Sequence, residues 1–149
     1  MDMMSSSFDL KASPANTHVV RHAGKILALE EAHLSLKDID YINAHGTATP
    51  NNDLSEGRAI EKLFGSKQLF SSTKAYTGHT LAAAGIVECI YSILSIKNNT
   101  IFPTLNHNTL MPELKVKPVI NIKENFRIDT VLSNSFGFGG NNATIIIGR

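Results

Sequence analysis

The sequence predicts an α/β fold built in layers. Short apolar runs of strand character alternate along the chain with stretches of helical periodicity, and the C-terminus closes on two apolar strands in succession, "TVLSNSFGFGG" and "NATIIIGR". Size agrees: 149 residues, 42% hydrophobic and 18% charged, make one ordinary globular unit with a core of its own.

The elements follow in order. Residues 1–16 are rich in Met and Ser and end in "ASPAN", the composition of an irregular lead-in with a turn near Pro14, so the domain proper is expected over 17–149. "VVRHAGKILALEEAH" (19–33) spaces Ile26, Leu27, Leu29 and Ala32 near helical periodicity with charges opposite. "LKDIDYINAHG" gives a short strand, Ile39 to Ile42, that runs out at Asn43 to Gly46. An amphipathic helix, "NDLSEGRAIEKLFG", is then closed by Gly65. "LFSST" is a further short strand, and "GHTLAAAGIVECIYSILSIKNN" is the longest helix, stopped by two asparagines and by Pro103 beyond them. Between Leu81 and Ile96 that helix is apolar on nearly every side, which predicts that it is buried. The stretch up to Asn125 reads as loop, and no repeat or low-complexity segment interrupts the chain.

Charge and cysteine content exclude several classes of function. A net charge of +1, with no basic cluster, leaves no electrostatic footprint for nucleic acid. The single cysteine, Cys89, excludes an internal disulfide and a cysteine-rich metal site, so a reducing compartment, the cytoplasm, is the expected home. "MDMMSSSFDLK" has no apolar leader behind basic residues, and no charge-free stretch reaches bilayer length, so no membrane association is expected.

Three stretches carry candidate chemistry: "NAHGTATPNND" (43–53), "SSTKAYTGHTLAAAG" (71–85) and "SNSFGFGGNN" (133–142). Each follows or ends a predicted strand, and loops leaving strand ends of an open α/β sheet converge on one crevice. His45, Lys74, His79 and the glycine loop are therefore expected to share a site. Thr77 is a plausible helix N-cap, which would put His79 in the first turn of the long helix. There the macrodipole opposes protonation, and a neutral imidazole can donate to a carbonyl or enolate oxygen. A histidine that merely satisfies a buried carbonyl is the competing reading, and position alone does not choose. His45, beside Gly46, is similar. The histidines at 18, 22, 33 and 107 have no supporting context and are assigned to the surface.

Glu88 lies on the apolar helix, and burying it ionised would cost several kcal/mol without a cation or donors to meet it. Lys74 is the candidate cation, with Asp53 and Glu56 as competing acids; a polar edge that gives Glu88 access to water is the alternative. "AAAG" (82–85) has so little side-chain volume that another element can approach closely. Cys89, mid-helix among Val87, Ile90 and Ile93, lacks the helix N-terminus that would activate a thiolate and reads as a small hydrophobe. Two histidines 34 positions apart place no third metal ligand, so neither metal nor cofactor is expected.

In this order and spacing, "NAHGTATPNND", "STKAYTGH" with "AAAGIVE", "FPTLN" and "NSFGFGGNN" resemble the C-terminal half of the β-ketoacyl-[acyl-carrier-protein] synthases, condensing enzymes of thiolase-like fold. The resemblance runs over about residues 8–149 and is nearest the type II enzymes of fatty-acid synthesis. It implies a decarboxylative Claisen condensation between an acyl thioester on a cysteine and a malonyl thioester on acyl carrier protein. His45 and His79 would be the two assisting histidines, Lys74 and Glu88 the family's lysine and partnering glutamate, and Asp53 and Glu56 the acids around them. Phe138 would supply one oxyanion-hole N–H, worth roughly 3 kcal/mol of barrier. It would do so from a loop formed with Phe136, Gly137, Gly139 and Gly140.

The departures from the family pattern are as informative. Asn141 stands where relatives carry Thr or His. The N-terminal half with the nucleophilic cysteine is not in this chain, and neither, on this reading, is the first strand of the C-terminal half, expected at the centre of its five-stranded mixed sheet. The implied partners are acyl carrier protein, acyl and malonyl thioesters, and a homodimer mate or complementary N-terminal half. A non-catalytic subunit resembling a chain-length factor, and a degenerate remnant, are the other states open to such a chain.

Overall fold

Alternation of side chains across the pleat decides the layering. Ile42, Leu132 and Ile146 face one way and pack with Ala28, Leu29 and Ile60, whereas Tyr41, Val131 and Ile147 face the other way and pack with Cys89 and Ile96. In this computed structural model, which describes residues 3–9, 17–137 and 141–149, the result is a helix layer on each side of a five-stranded sheet. The strands are β1 (Met3–Asp9), β2 (Tyr41–Asn43), β3 (Phe70–Ser71), β4 (Thr130–Phe136) and β5 (Asn141–Gly148). Helices α1 (Thr17–Glu31) and α2 (Pro50–Phe64) cover one face; α4 (Ala84–Asn98) covers the other, preceded by the short α3 (Lys74–Thr77).

The sheet runs β1-β5-β4-β2-β3, with β2 parallel to β3 and β4, and β5 antiparallel to its neighbours β4 and β1. The lead-in thus corrects the sequence reading: Met3–Asp9 is a strand rather than irregular, and it pairs with β5 from Met3 opposite Ile147 to Asp9 opposite Asn141. Among the described residues no first strand stands at the sheet centre, which β4 occupies, in keeping with its expected lack; Met3–Asp9 lies instead at the sheet edge. A strand there needs only one ladder partner, so its serine-rich sequence suffices where a central strand would read as a continuous apolar run.

The long helix also differs from expectation. Leu81–Ala83 forms a separate 3-10 turn before α4, and only one side of α4 is buried. Ile86, Ile90 and Leu94, four residues apart in succession, are 60%, 51% and 38% exposed. Apolarity all round therefore reflects two faces of different fate, one on the sheet and one open in this chain. By length and composition Leu81–Asn98 would suffice to cross a bilayer, with a mean hydropathy of 1.3. It is not charge-free, however, and its Glu88 is built into the site described next. At Gly85 helix α4 comes close to the sheet: a Cβ there would stand 3.0 Å from Ser135 Oγ, the close approach that "AAAG" foretold.

Candidate active site

The parallel strands β2, β3 and β4 end on the same side of the sheet, and the residues just beyond or at those ends meet. His45 follows β2 and is 4% exposed, Lys74 follows β3, and Phe136 ends β4. The ring of His45 lies 5.5 Å from that of His79 and 5.4 Å from that of Phe136, both in edge-to-face arrangement.

His45 is held through its backbone. Its N–H donates to Glu56 Oε1 at 2.9 Å and the Gly46 N–H to Glu56 Oε2 at 3.0 Å, so one buried carboxylate clamps two successive amides. Asn134 Nδ2 donates to the same Oε1 at 3.1 Å. Gly46 is required where it stands. Its φ is +42°, and a Cβ would lie 2.5 Å from that of Ser72, whose hydroxyl donates to the Gly46 carbonyl at 3.0 Å.

Lys74 settles which acid it meets. Its ammonium forms an ion pair with Glu88 Oε1, and it stands 3.1 Å from His45 Nδ1. An ammonium has only donors, so Nδ1 is the acceptor, and the proton of a neutral His45 ring sits on Nε2. Ser135 Oγ donates to Glu88 Oε2 at 3.2 Å, and Asn43 Nδ2 donates to the Glu88 carbonyl at 3.0 Å. Burial raises the Glu88 carboxyl to about 7, outweighing the pull of Lys74 and Ser135, with the nearby Glu56 charge adding to the rise.

His79 reaches the site by a different route from the one its sequence suggested. Thr77 is the last residue of α3, not a cap of the long helix, and Gly78, with φ +71°, turns the chain out of α3. His79 is exposed in the connection that follows, so no helix macrodipole acts on it. Its orientation comes instead from Leu81, whose N–H donates to His79 Nδ1 at 3.1 Å. With Nδ1 accepting, a neutral His79 also carries its proton on Nε2, and both histidines present the same kind of N–H.

The remaining predicted residues fall around this group. Asp53, half-buried in the first turn of α2, accepts from Asn52 Nδ2 at 3.0 Å. The Gly137 N–H donates to the Asn141 carbonyl at 2.7 Å, closing the base of the glycine loop. Phe138, Gly139 and Gly140 lie outside the described residues. Cys89 is buried mid-helix, and burial pushes its thiol up, away from nucleophilic use. His107 is not a surface residue: it is half-buried with its Nε2 enclosed. Asn43, Asn134 and Ser135 are site residues that the sequence reading passed over. The available signal was polar side chains inside otherwise apolar strands, which burial allows only with partners.

The comparisons with known proteins bear on this geometry. A family model described as "Beta-ketoacyl synthase, C-terminal domain" matches residues 9–108. The chain belongs to that family. The chain is 46% identical over 125 residues to 3-oxoacyl-[acyl-carrier-protein] synthase 2 of Coxiella burnetii, covering 82% of this chain and 30% of that protein. It is 50% identical over 113 residues to 3-oxoacyl-[acyl-carrier-protein] synthase 1 of Haemophilus influenzae, covering 74% and 28%. Among solved structures, the AntDE:AntF complex, a type II polyketide acyl-carrier protein with its ketosynthase bound to the hexaketide, matches with a TM-score of 0.84. Identity there is 30%, over 99% of this chain and 37% of that one. The chain thus spans about 30% of the curated relatives it matches, and the architecture is the C-terminal part of their thiolase-like fold.

Proposed function

We propose that this chain supplies the malonyl-activating half of a 3-oxoacyl-[acyl-carrier-protein] synthase, with the nucleophilic cysteine carried elsewhere. The observation that carries the reading is the pairing of His45 and His79, rings 5.5 Å apart, each with Nδ1 accepting a hydrogen bond. Two Nε2–H donors on neighbouring rings suit the thioester oxygen of a malonyl group. As the bond to the carboxylate breaks and carbon dioxide leaves, the electron pair passes into an enolate whose oxygen those donors stabilise. The enolate carbon then attacks an acyl thioester on the cysteine of the complementary half, forming the new C–C bond and releasing the cysteine thiolate. Lys74 acts through His45, fixing its tautomer, and Glu88 holds Lys74. Phe136 packs on the His45 ring, Gly137, Gly139 and Gly140 give the loop its reach, and the Phe138 N–H is assigned to the oxyanion of the acyl group.

Acyl carrier protein is the proposed bearer of the malonyl thioester. The exposed stripe of Ile86, Ile90 and Leu94 is the proposed seat of the complementary half. The test is an assay of the purified chain with acyl- and malonyl-carrier protein, alone and with a cysteine-bearing half. Condensation only with the second half, together with slow malonyl decarboxylation by the chain itself, is the expected result. Condensation by the chain alone that disappears in Cys89→Ala would overturn it. A non-catalytic partner subunit or a remnant would instead leave the complex indifferent to His45→Ala and His79→Ala.

A further inference from the structure

Helix α1 carries a residue that its own periodicity does not explain. Its core-facing stripe runs through Ala28 and Leu29, and one turn earlier the same stripe meets Lys25, which is 0% exposed. Glu30 and Glu31, by contrast, are exposed, as the charged side of the helix should be. An apolar residue would fill the position of Lys25 at no electrostatic cost. An ammonium taken out of water must recover a large desolvation cost from its surroundings.

One of those surroundings leads to the histidine pair. Lys25 Nζ stands over the ring of Phe136, 5.1 Å from its centroid and within cation–π range. The same ring meets that of His45 at 5.4 Å, edge to face. Phe136 ends β4, and the next amide, the Gly137 N–H, closes the base of the glycine loop on the Asn141 carbonyl. Helix α1 also reaches the other support of His45. A Cβ on Gly24 would stand 3.6 Å from Thr144 Oγ1; Thr144 donates to Asn134, and Asn134 donates to the Glu56 carboxylate that clamps His45.

We propose that Lys25 is a positioning residue for the histidine pair: its ammonium holds the Phe136 ring against His45 and, through that ring, sets the direction of the His45 Nε2–H. The hydrogen bond from Lys74 fixes the tautomer of His45 but not the tilt of its plane, which the rings beside it restrain. A cation suits this task better than an alkyl chain. Its attraction is directed at the ring face, whereas aliphatic contact is indifferent to how the ring is turned. The role rests on the reading of His45 as an enolate donor, but the geometry is measurable without the reaction.

The test is NMR on the full chain, with malonyl-carrier-protein decarboxylation measured on the same samples. In the wild type, Overhauser contacts between the end of the Lys25 side chain and the Phe136 ring are expected, and they decide the geometry whether or not a variant folds. Lys25→Met keeps an unbranched chain of similar length and removes the charge. It is expected to shift the His45 Hε1 resonance, which feels the Phe136 ring current, and to lower kcat about tenfold with KM unchanged. Lys25→Arg, which still offers the ring a cation, is expected to restore the resonance and bring kcat within about threefold of wild type. A mere packing role would give the reverse order, methionine tolerated and the bulkier arginine harmful. That order, equal losses in both variants, or absence of the wild-type contacts would overturn the proposal. Resonances in the expected order from a chain that decarboxylates nothing would uphold the positioning and fault the proposed reaction instead.

Discussion

The Lys74 ammonium lies 3.1 Å from Nδ1 of His45 while it is ion-paired with Glu88, so one buried cation fixes both an imidazole tautomer and a carboxylate. Removing that cation leaves Glu88 buried without its counter-ion. Lys74→Met is therefore expected to destabilise the chain by about 3 kcal/mol at pH 8, and Lys74→Met with Glu88→Gln to restore most of the loss. Urea denaturation of the single and double variants checks this. Equal losses in single and double would show that the ion pair is not the cause.

Glu88 should also make stability depend on pH. Its carboxyl stands at about 7 against an ordinary 4.5, because burial disfavours the charge. The folded state holds that proton more tightly than the unfolded state. This group's stabilising contribution is whole below about pH 4.5 and is lost as pH rises through 7. Relative to Glu88→Gln, the wild-type chain should lose roughly 1 kcal/mol per pH unit within that window and level off above it. Parallel stability curves for the two proteins would refute the assignment.

Glu56 is the clamp under His45. Glu56→Ala removes a carboxylate that accepts from two backbone amides and from Asn134, and a loss of about 3 kcal/mol is expected. Gly46→Ala attacks the same loop from the other side, by positive φ and collision with Ser72, and should cost about 2 kcal/mol or more. Amide exchange should separate the two from a general loosening. Protection is expected to fall first at His45 and Gly46, and an undisturbed loop in either variant would count against the clamp.

In the assembled synthase, His45→Ala and His79→Ala should each lower malonyl decarboxylation by about 10²–10³-fold, the effect of removing one preorganised donor. Transfer of the acyl group to the cysteine, which does not need the enolate donors, should change far less. A comparable fall in both steps would place the histidines in the fold rather than in the chemistry.

The exposed face of α4 yields a test that leaves the core alone. Ile90→Asp sits on the open side of the helix, so the isolated chain should keep its stability within about 0.5 kcal/mol. Association with the complementary half, measured by ultracentrifugation, should be lost. Retained association would move the interface elsewhere.

Much of the fold was legible in the sequence, and the reasons are local. Periodicity marked α1, α2 and α4, and short apolar runs between turn signals marked β4 and β5. The charge argument named Lys74 as the candidate partner of Glu88 before any geometry, with Asp53 and Glu56 competing for it and water as the alternative, since an ionised carboxylate on an apolar helix needs something to meet it. Three features were misjudged, two of them because distant parts of the chain decide them. Met3–Asp9 is a strand because β5 offers it a free edge, which nothing in "MMSSSFD" announces. His79 is oriented by the Leu81 amide across a sharp turn rather than by a helix start. His107 is enclosed because residues 104–118 fold back over α2.

The sequence by itself determined the α/β class, the strand-end placement of His45, Lys74 and Phe136, and the need for a cation beside Glu88. Propensity, periodicity and desolvation act on residues whatever surrounds them. Only the tertiary structure decided that Glu88, not Asp53 or Glu56, is the acid ion-paired with Lys74, that Glu56 clamps two amides, and that His45 and His79 both present Nε2. Those outcomes depend on which lone pairs and donors meet between separate elements, Lys74 standing 14 residues from Glu88 and 29 from His45, and directional bonds of that kind are fixed by packing.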